Sequence, residues 1–168
     1  MDNTILKWDK RFLEIAAVVK SWSKDPSTKI GCVIVGPDGE IRSTGFNGFP
    51  RNVYDNEARL AADLNYRIQR PVKYFFTEHA ERNAIYNCVR NGISTMNCIL
   101  YMDGTRTGGP PCADCTRACI QAGIKEIVVR DGEIDPNAGL SGWRDGDKFS
   151  LEMLKEAGII HRPIIINE

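Results

Sequence analysis

The runs His79-Ala80-Glu81 and Pro111-Cys112-Ala113-Asp114-Cys115 decide how this chain is read. Either alone carries little. A His-x-Glu pair occurs on many solvated helices, and a Cys-x-x-Cys pair equally fits a redox couple, half of a zinc finger or two core thiols. Together they are more specific, because a hydrolytic zinc ion takes three protein ligands and keeps a fourth position for water. His79, Cys112 and Cys115 supply three such ligands, and Glu81 is left over as a base. Cys112 and Cys115 lie three apart, so on a helix they share a face and can grip one ion. A helix beginning near Pro111 turns its first amides and positive dipole end toward both thiolates. Two thiolates cancel the charge of the ion and leave its water less acidic than an all-histidine site would, which makes a base at Glu81 useful. His79 and Glu81 are two apart and diverge on an ideal helix. The arrangement therefore requires His79 at the helix start, where side chains can converge.

Outward from these runs the chain alternates strands and helices. His79 to Arg90 is a helix with Ala80, Ala84, Ile85 and Cys88 on its buried side. Cys98 to Met102 is a strand, and the Gly-rich loop Asp103 to Pro110 leads into the Cys112 helix. That helix runs to about Ala122 and stops at Gly123. Ile124 to Val129 is the next strand. Asp131 to Asp147 reads as a long polar loop, Lys148 to Ala157 as an amphipathic helix and Ile159 to Ile166 as a last strand. Upstream, Phe12, Ile15, Ala16, Val19 and Trp22 set a helical rhythm over Trp8 to Trp22 that breaks at Pro26. Ile30 to Val35 and Glu40 to Thr44 form a hairpin around Pro37-Asp38-Gly39. Gly45 to Pro50 reads as the loop that ends it. Arg51 to Tyr74 is polar and Arg-rich, with a short helical pattern through Leu60, Leu64 and Ile68, and reads as an insertion over residues 51–75 that covers or flanks the site. The expectation is an α/β protein in three layers (α/β/α), a mixed sheet of about five strands with helices on both faces. Both ligand-bearing runs then lie at helix starts after strands or loops, where such sheets form ligand sites.

Composition narrows the partners. At 168 residues the length suits one domain with a proper core. Acidic and basic residues balance at 22 each, so no general electrostatic footprint for nucleic acid or an anionic membrane is expected. Residues 1–10 lack the apolar core of a signal peptide, and no run approaches bilayer-spanning length. Six cysteines without a regular framework read as reduced thiols of a cytoplasmic protein.

Five runs carry a family resemblance: Lys24-Asp25-Pro26-Ser27-Thr28-Lys29-Ile30-Gly31, Gly45-Phe46-Asn47-Gly48-Phe49-Pro50, His79-Ala80-Glu81-Arg82-Asn83-Ala84-Ile85, Pro111 to Cys115, and Gln121-Ala122-Gly123-Ile124-Lys125-Glu126-Ile127. In this order they resemble the deoxycytidylate (dCMP) deaminases of the cytidine deaminase-like superfamily. The zinc signature is shared across that superfamily. The first two runs and the long 51–75 segment point to the dCMP branch.

The resemblance implies one zinc per chain, held by His79, Cys112 and Cys115. It implies that Glu81 takes a proton from the activated water, passes it to ring N3 and protonates the departing amine, giving dUMP, the precursor for thymidylate synthesis, and ammonia. Asn47 resembles the asparagine that reaches the substrate's sugar or base. Ser27 and Thr28, flanked by Lys24 and Lys29, are candidate phosphate contacts, because hydroxyls, turn amides and cations suit an oxyanion. The resemblance further implies a homo-oligomer, with hexamers common, and control by dCTP and dTTP through the region of Gly45 to Pro50. The Asp103 to Pro110 loop is longer than the family's usual connection, which bears on the base accepted, for instance a 5-substituted cytosine. Deamination of guanine, a free nucleoside or an RNA base remains an alternative, as does a non-catalytic zinc-binding relative. Cys119, four residues after Cys115, is within reach as a rival ligand but reads as a buried thiol.

Overall fold

The computed structural model describes residues 3–60, 72–104, 108–131 and 143–166. Its elements run α1 (Asn3–Ser21), β1 (Gly31–Val35), β2 (Ile41–Phe46), α2 (Glu57–Leu60), α3 (Lys73–Phe76), α4 (Ala80–Arg90), β3 (Ile99–Asp103), α5 (Ala113–Gln121), β4 (Glu126–Asp131), α6 (Trp143–Glu156) and β5 (Ile160–Ile165). One mixed sheet has the order β2-β1-β3-β4-β5. β1 is antiparallel to both β2 and β3, whereas β3, β4 and β5 are parallel. The register pairs Gly31 with both Phe46 and Asp103. The start of β1 and the ends of β2, β3 and β4 therefore share one edge of the sheet.

Alternation along the strands sends side chains into two cores. Cys32, Ile34, Leu100, Met102, Ile127 and Val129 face Ala80, Ala84, Ile85 and Cys88 of α4, Cys119 of α5 and Leu154 of α6. Val33, Val35, Tyr101, Val128 and Ile164 face Phe12, Leu13 and Ala16 of α1. The three-layer α/β/α expectation holds.

Gly31 and Gly45 set how closely the helices approach. A Cβ on Gly31 would lie 2.2 Å from the Ala16 carbonyl oxygen of α1, and one on Gly45 would lie 2.3 Å from the Ala80 carbonyl oxygen and 2.4 Å from the Ala84 amide of α4. Gly45 is thus a packing residue inside β2 rather than part of the loop that its sequence context suggested. Side chains of α4 and β2 reinforce the contact. Asn83 Nδ2 donates to Phe46 O at 2.8 Å, Asn87 Nδ2 to Thr44 O at 2.7 Å, and Ser43 Oγ to Ala84 O at 2.6 Å.

Ion pairs pin the other helical layer. Buried Asp9 accepts from Tyr101 Oη at 2.8 Å and from Arg162 Nη1 at 2.5 Å, and Arg162 also reaches Glu126, so α1, β3, β4 and β5 are tied together. At the shared edge Asp103 pairs with Lys20 and with Arg130, the latter at 2.5 Å.

Other boundaries also differ from the sequence reading. α1 begins at Asn3, and Leu6 in its first turns packs on the second core. β4 occupies Glu126–Asp131, two residues later than expected, because Ile124 turns into the first core before the strand begins. α6 begins at Trp143 rather than Lys148. Gly146 read as loop but lies inside the helix, where it faces open space. Leu64, Ile68 and the remainder of the expected 131–147 loop through residue 142 lie outside the described residues.

Candidate active site

Both ligand-bearing runs form helix starts at the shared edge. His79 caps α4 with extended backbone (φ −77°, ψ 154°), and its carbonyl accepts from Asn83 N at 2.9 Å. Because His79 lies outside the helical dihedrals, its ring is not bound to the helix face that two-residue spacing dictates. It can turn toward the side on which Glu81 points. Cys112 caps α5 in the same way (φ −58°, ψ 163°), with Thr116 N donating to its carbonyl at 2.8 Å and Thr116 Oγ1 to Pro111 O at 3.0 Å. Cys115 follows in the first turn of α5, fully buried.

The geometry brings three donors together. Cys112 Sγ and Cys115 Sγ each lie 3.4 Å from His79 Nδ1, and all three ligand atoms fall within 4.8 Å of one another. Two ligands of a tetrahedral zinc, one nitrogen at ~2.0 Å and one sulfur at ~2.3 Å, stand about 3.5 Å apart. The donor set and its spacing fit zinc. The Cys112 thiol is held down to about 4, first by the hydrogen bond from the Cys115 thiol and then by His79, with burial opposing. The same hydrogen bond and burial raise Cys115. Two helix N-termini converge here, and their dipoles favour the negative charge that two thiolates bring.

Glu81 completes the centre. It lies in the first turn of α4, is 3% exposed, and its Oε2 is buried without a hydrogen-bond partner. Burial lifts its carboxyl above the ordinary carboxylate range, and the neighbouring His79 opposes that shift. An orphaned carboxylate oxygen in the interior is costly unless something reacts with it or binds it. Cys32 and Cys119 lie close enough to Glu81 to interact with it electrostatically, and burial holds both thiols protonated. Among the described residues Cys119 stays outside the metal-type cluster.

The other predicted contacts form a second group at the same edge. Asn47 is 9% exposed. Its Nδ2 donates to Thr28 O at 2.8 Å, and its Oδ1 accepts from Ile30 N at 2.8 Å. Ser27 donates its amide and hydroxyl to Asp25 Oδ1 at 2.8 and 2.9 Å, and Thr28 donates its amide to the same atom at 3.0 Å. The turn donors that suit a phosphate therefore serve a carboxylate of the protein itself. The side chains of Thr28 and Lys29 are exposed, and Lys24 pairs with Asp55. Asp25 and its partner Lys73 were missed by the sequence reading. Asp25 lies in the Lys24 to Gly31 run, but its role as hub shows only in contacts. Lys73 lies in the least patterned segment, with nothing but its charge to mark it.

These donors, gathered at two helix starts on one edge of a mixed sheet around a buried carboxylate, define a layered α/β protein with a cluster suited to a single metal ion. Comparison with known proteins is consistent with that class. Residues 6–131 match the model of the cytidine and deoxycytidylate deaminase zinc-binding region. The chain belongs to that family. It is 37% identical over 155 residues to an uncharacterized deaminase in the luxG 3′ region of Aliivibrio fischeri, covering 92% of each chain. To the deoxycytidylate deaminase of Homo sapiens it is 32% identical over 162 residues, covering 95% of this chain and 81% of that one. The crystal structure of dCMP deaminase from the cyanophage S-TIM5, in complex with dCMP and dUMP, shares the fold with a TM-score of 0.67 at 22% identity, over 99% of each chain.

Proposed function

We propose that this protein hydrolyses dCMP to dUMP and ammonia, as a single zinc-dependent deaminase domain with an insertion at 51–75. The observation that carries the reading is the convergence of His79 Nδ1, Cys112 Sγ and Cys115 Sγ beside the unpartnered Glu81 Oε2. Family membership and the human deoxycytidylate deaminase relative support the choice of substrate.

His79, Cys112 and Cys115 would hold one zinc per chain, which supplies an activated water for attack on C4 of the cytosine ring. Glu81 does the proton work at Oε2. It takes a proton from that water, delivers it to ring N3, and later protonates the amine that leaves C4. One water is consumed, the C4–N bond breaks, and ammonia departs. A carboxyl whose proton affinity is raised by burial suits a group that must both accept and return a proton. Asn47 and the Ser27-Thr28-Lys29 turn, with Lys24 beside it, would receive the sugar and phosphate. Because the turn amides already serve Asp25, the exposed Lys29 and Thr28 are the groups best placed to meet the phosphate. The free state of all six cysteines supports a cytoplasmic setting, and no described helix is long and apolar enough to cross a membrane. A homo-oligomer responsive to dCTP and dTTP is part of the same proposal.

The test is ammonia release by zinc-loaded protein from dCMP, CMP, deoxycytidine, dCTP and guanine in parallel. Turnover of dCMP well above the other four is expected. Preferred turnover of guanine or an unphosphorylated nucleoside would keep the zinc chemistry and overturn the substrate.

A further inference from the structure

Lys73 is a buried ammonium that the deamination chemistry does not use. Its side chain and that of its partner Asp25 are each 5% exposed. Lys73 Nζ lies 3.1 Å from Asp25 Oδ2, 3.3 Å from Asp25 Oδ1 and 2.5 Å from Ser27 Oγ. Asp25 Oδ1 in turn gathers the Ser27 amide, the Ser27 hydroxyl and the Thr28 amide. Asn47 closes the group, with Nδ2 on Thr28 O at 2.8 Å and 3.5 Å from Asp25 Oδ2. The next residue, Gly48, exchanges two backbone hydrogen bonds with Glu78, at 3.1 and 2.8 Å, and Glu78 directly precedes His79. One polar network thus runs from α3, through the turn, to the residue before the first metal ligand.

The energetics give Lys73 a definite task. Burial alone would push Asp25 toward protonation, but its hydrogen bonds from Ser27, Thr28 and Lys73 outweigh that and hold its carboxyl below the ordinary value. Asp25 is therefore charged, and a buried charge that loses its partner is strongly destabilising. Without the ammonium, Asp25 has two ways to respond. It can take up a proton and weaken its hold on the turn, or it can move to water and carry the turn with it. Either way Ser27, Thr28 and Lys29 lose their fixed place beside Asn47.

We propose that Lys73 is the positioning residue of the substrate-binding turn: by holding the Asp25 carboxylate it fixes Ser27, Thr28 and Lys29 for a nucleoside monophosphate. The proposal rests on the reading of those residues as contacts to a phosphorylated substrate. It gives the 51–75 insertion a function, since α3 at its end delivers the ammonium. None of the described contacts of Lys73 involves Glu81 or the three metal ligands, so its effect falls on binding rather than on proton transfer.

The experiment compares zinc-loaded wild type, Lys73→Met, Lys73→Arg and the double variant Asp25→Asn/Lys73→Met on dCMP and deoxycytidine, with hydrogen exchange on the same samples. Lys73→Met should raise KM for dCMP about tenfold or more with kcat held within about threefold. Its kcat/KM for deoxycytidine should change by less than about threefold, and Lys73→Arg should restore most of the dCMP KM. Amide exchange over residues 25–30 should speed up while residues 82–88 of α4 stay protected. The double variant, free of unpaired buried charge, should melt closer to wild type than Lys73→Met yet keep the raised KM. It carries the kinetic test should Lys73→Met fail to fold. An unchanged KM in a folded variant, or equal losses on both substrates, overturns the proposal. A wild type that ignores dCMP overturns the substrate reading instead, and exchange over 25–30 then decides the link between Lys73 and the turn.

Discussion

Glu81 is the residue on which the proposed chemistry turns. Its carboxylate is enclosed, its Oε2 has no partner, and no described ion pair consumes its charge. Its salt-bridged neighbours in sequence, Glu78 and Arg82, pair with each other instead, at 2.5 Å. Glu81→Gln keeps the volume and one acceptor oxygen but cannot carry the proton. The expected result is a fall in kcat of roughly 10²- to 10⁴-fold, with one zinc per chain retained by elemental analysis. Activity within a few-fold of wild type would remove Glu81 from the mechanism. His79 and Cys112 differ from it in kind, since each caps a helix and contributes a donor atom to the metal-type cluster at once. What made Glu81 and the His79, Cys112 and Cys115 cluster legible from sequence is that each run carries donor-type residues at short spacing. Lys73 and Asp25 escaped because a buried ion pair between positions 25 and 73 has no local signature.

At the scale of elements, α4 is placed by the strand beneath it. Gly45 lets the first turns of α4 lie on β2, and Asn83, Asn87 and Ser43 lock the contact. His79 and Glu81 ride on that turn, so the helix–strand distance is also a ligand distance. Gly45→Ala puts a methyl group against the Ala80 carbonyl and Ala84 amide, both backbone atoms that cannot rotate away. Forcing extra volume into a packed contact costs about 1–3 kcal/mol. Urea unfolding should show a loss of that order, and zinc titration should show weaker binding than wild type. A variant of unchanged stability and zinc affinity would mean that α4 has slack. The elements themselves follow from periodicity and turn residues, and most were legible. The exceptions were boundaries, where α6 absorbed a glycine that read as loop and β2 continued through one.

For the whole molecule, a zinc ion held by the His79, Cys112 and Cys115 cluster would be a staple between α4 and α5, two helices that the fold brings together. α4 follows β2 through the long 51–75 segment, and α5 follows β3, so His79 and the Cys112/Cys115 pair belong to distant parts of the chain. A ligand bound only by the folded state stabilises it in proportion to the logarithm of its excess over Kd. At zinc concentrations a thousandfold above Kd this amounts to about 4 kcal/mol, which corresponds to a rise in Tm on the order of 10 °C for a domain of this length. Chelation should lower Tm by that amount and re-addition of zinc should restore it. A Tm indifferent to zinc would show that the cluster does not bind the ion in the folded protein.

The sequence alone determined the layered class, the order of the strands and the longer helices, and the grouping of His79, Cys112 and Cys115 with a leftover carboxylate beside them. These follow from short-range patterns: apolar period, turn residues, and ligand types a few positions apart. Only the tertiary structure decided that His79 Nδ1 meets both cysteine sulfurs, that Gly45 is a contact between layers, and that Asp25 pairs with buried Lys73. Each of these depends on distances between residues far apart in the chain. Packing sets such distances, and no local run of residues encodes them.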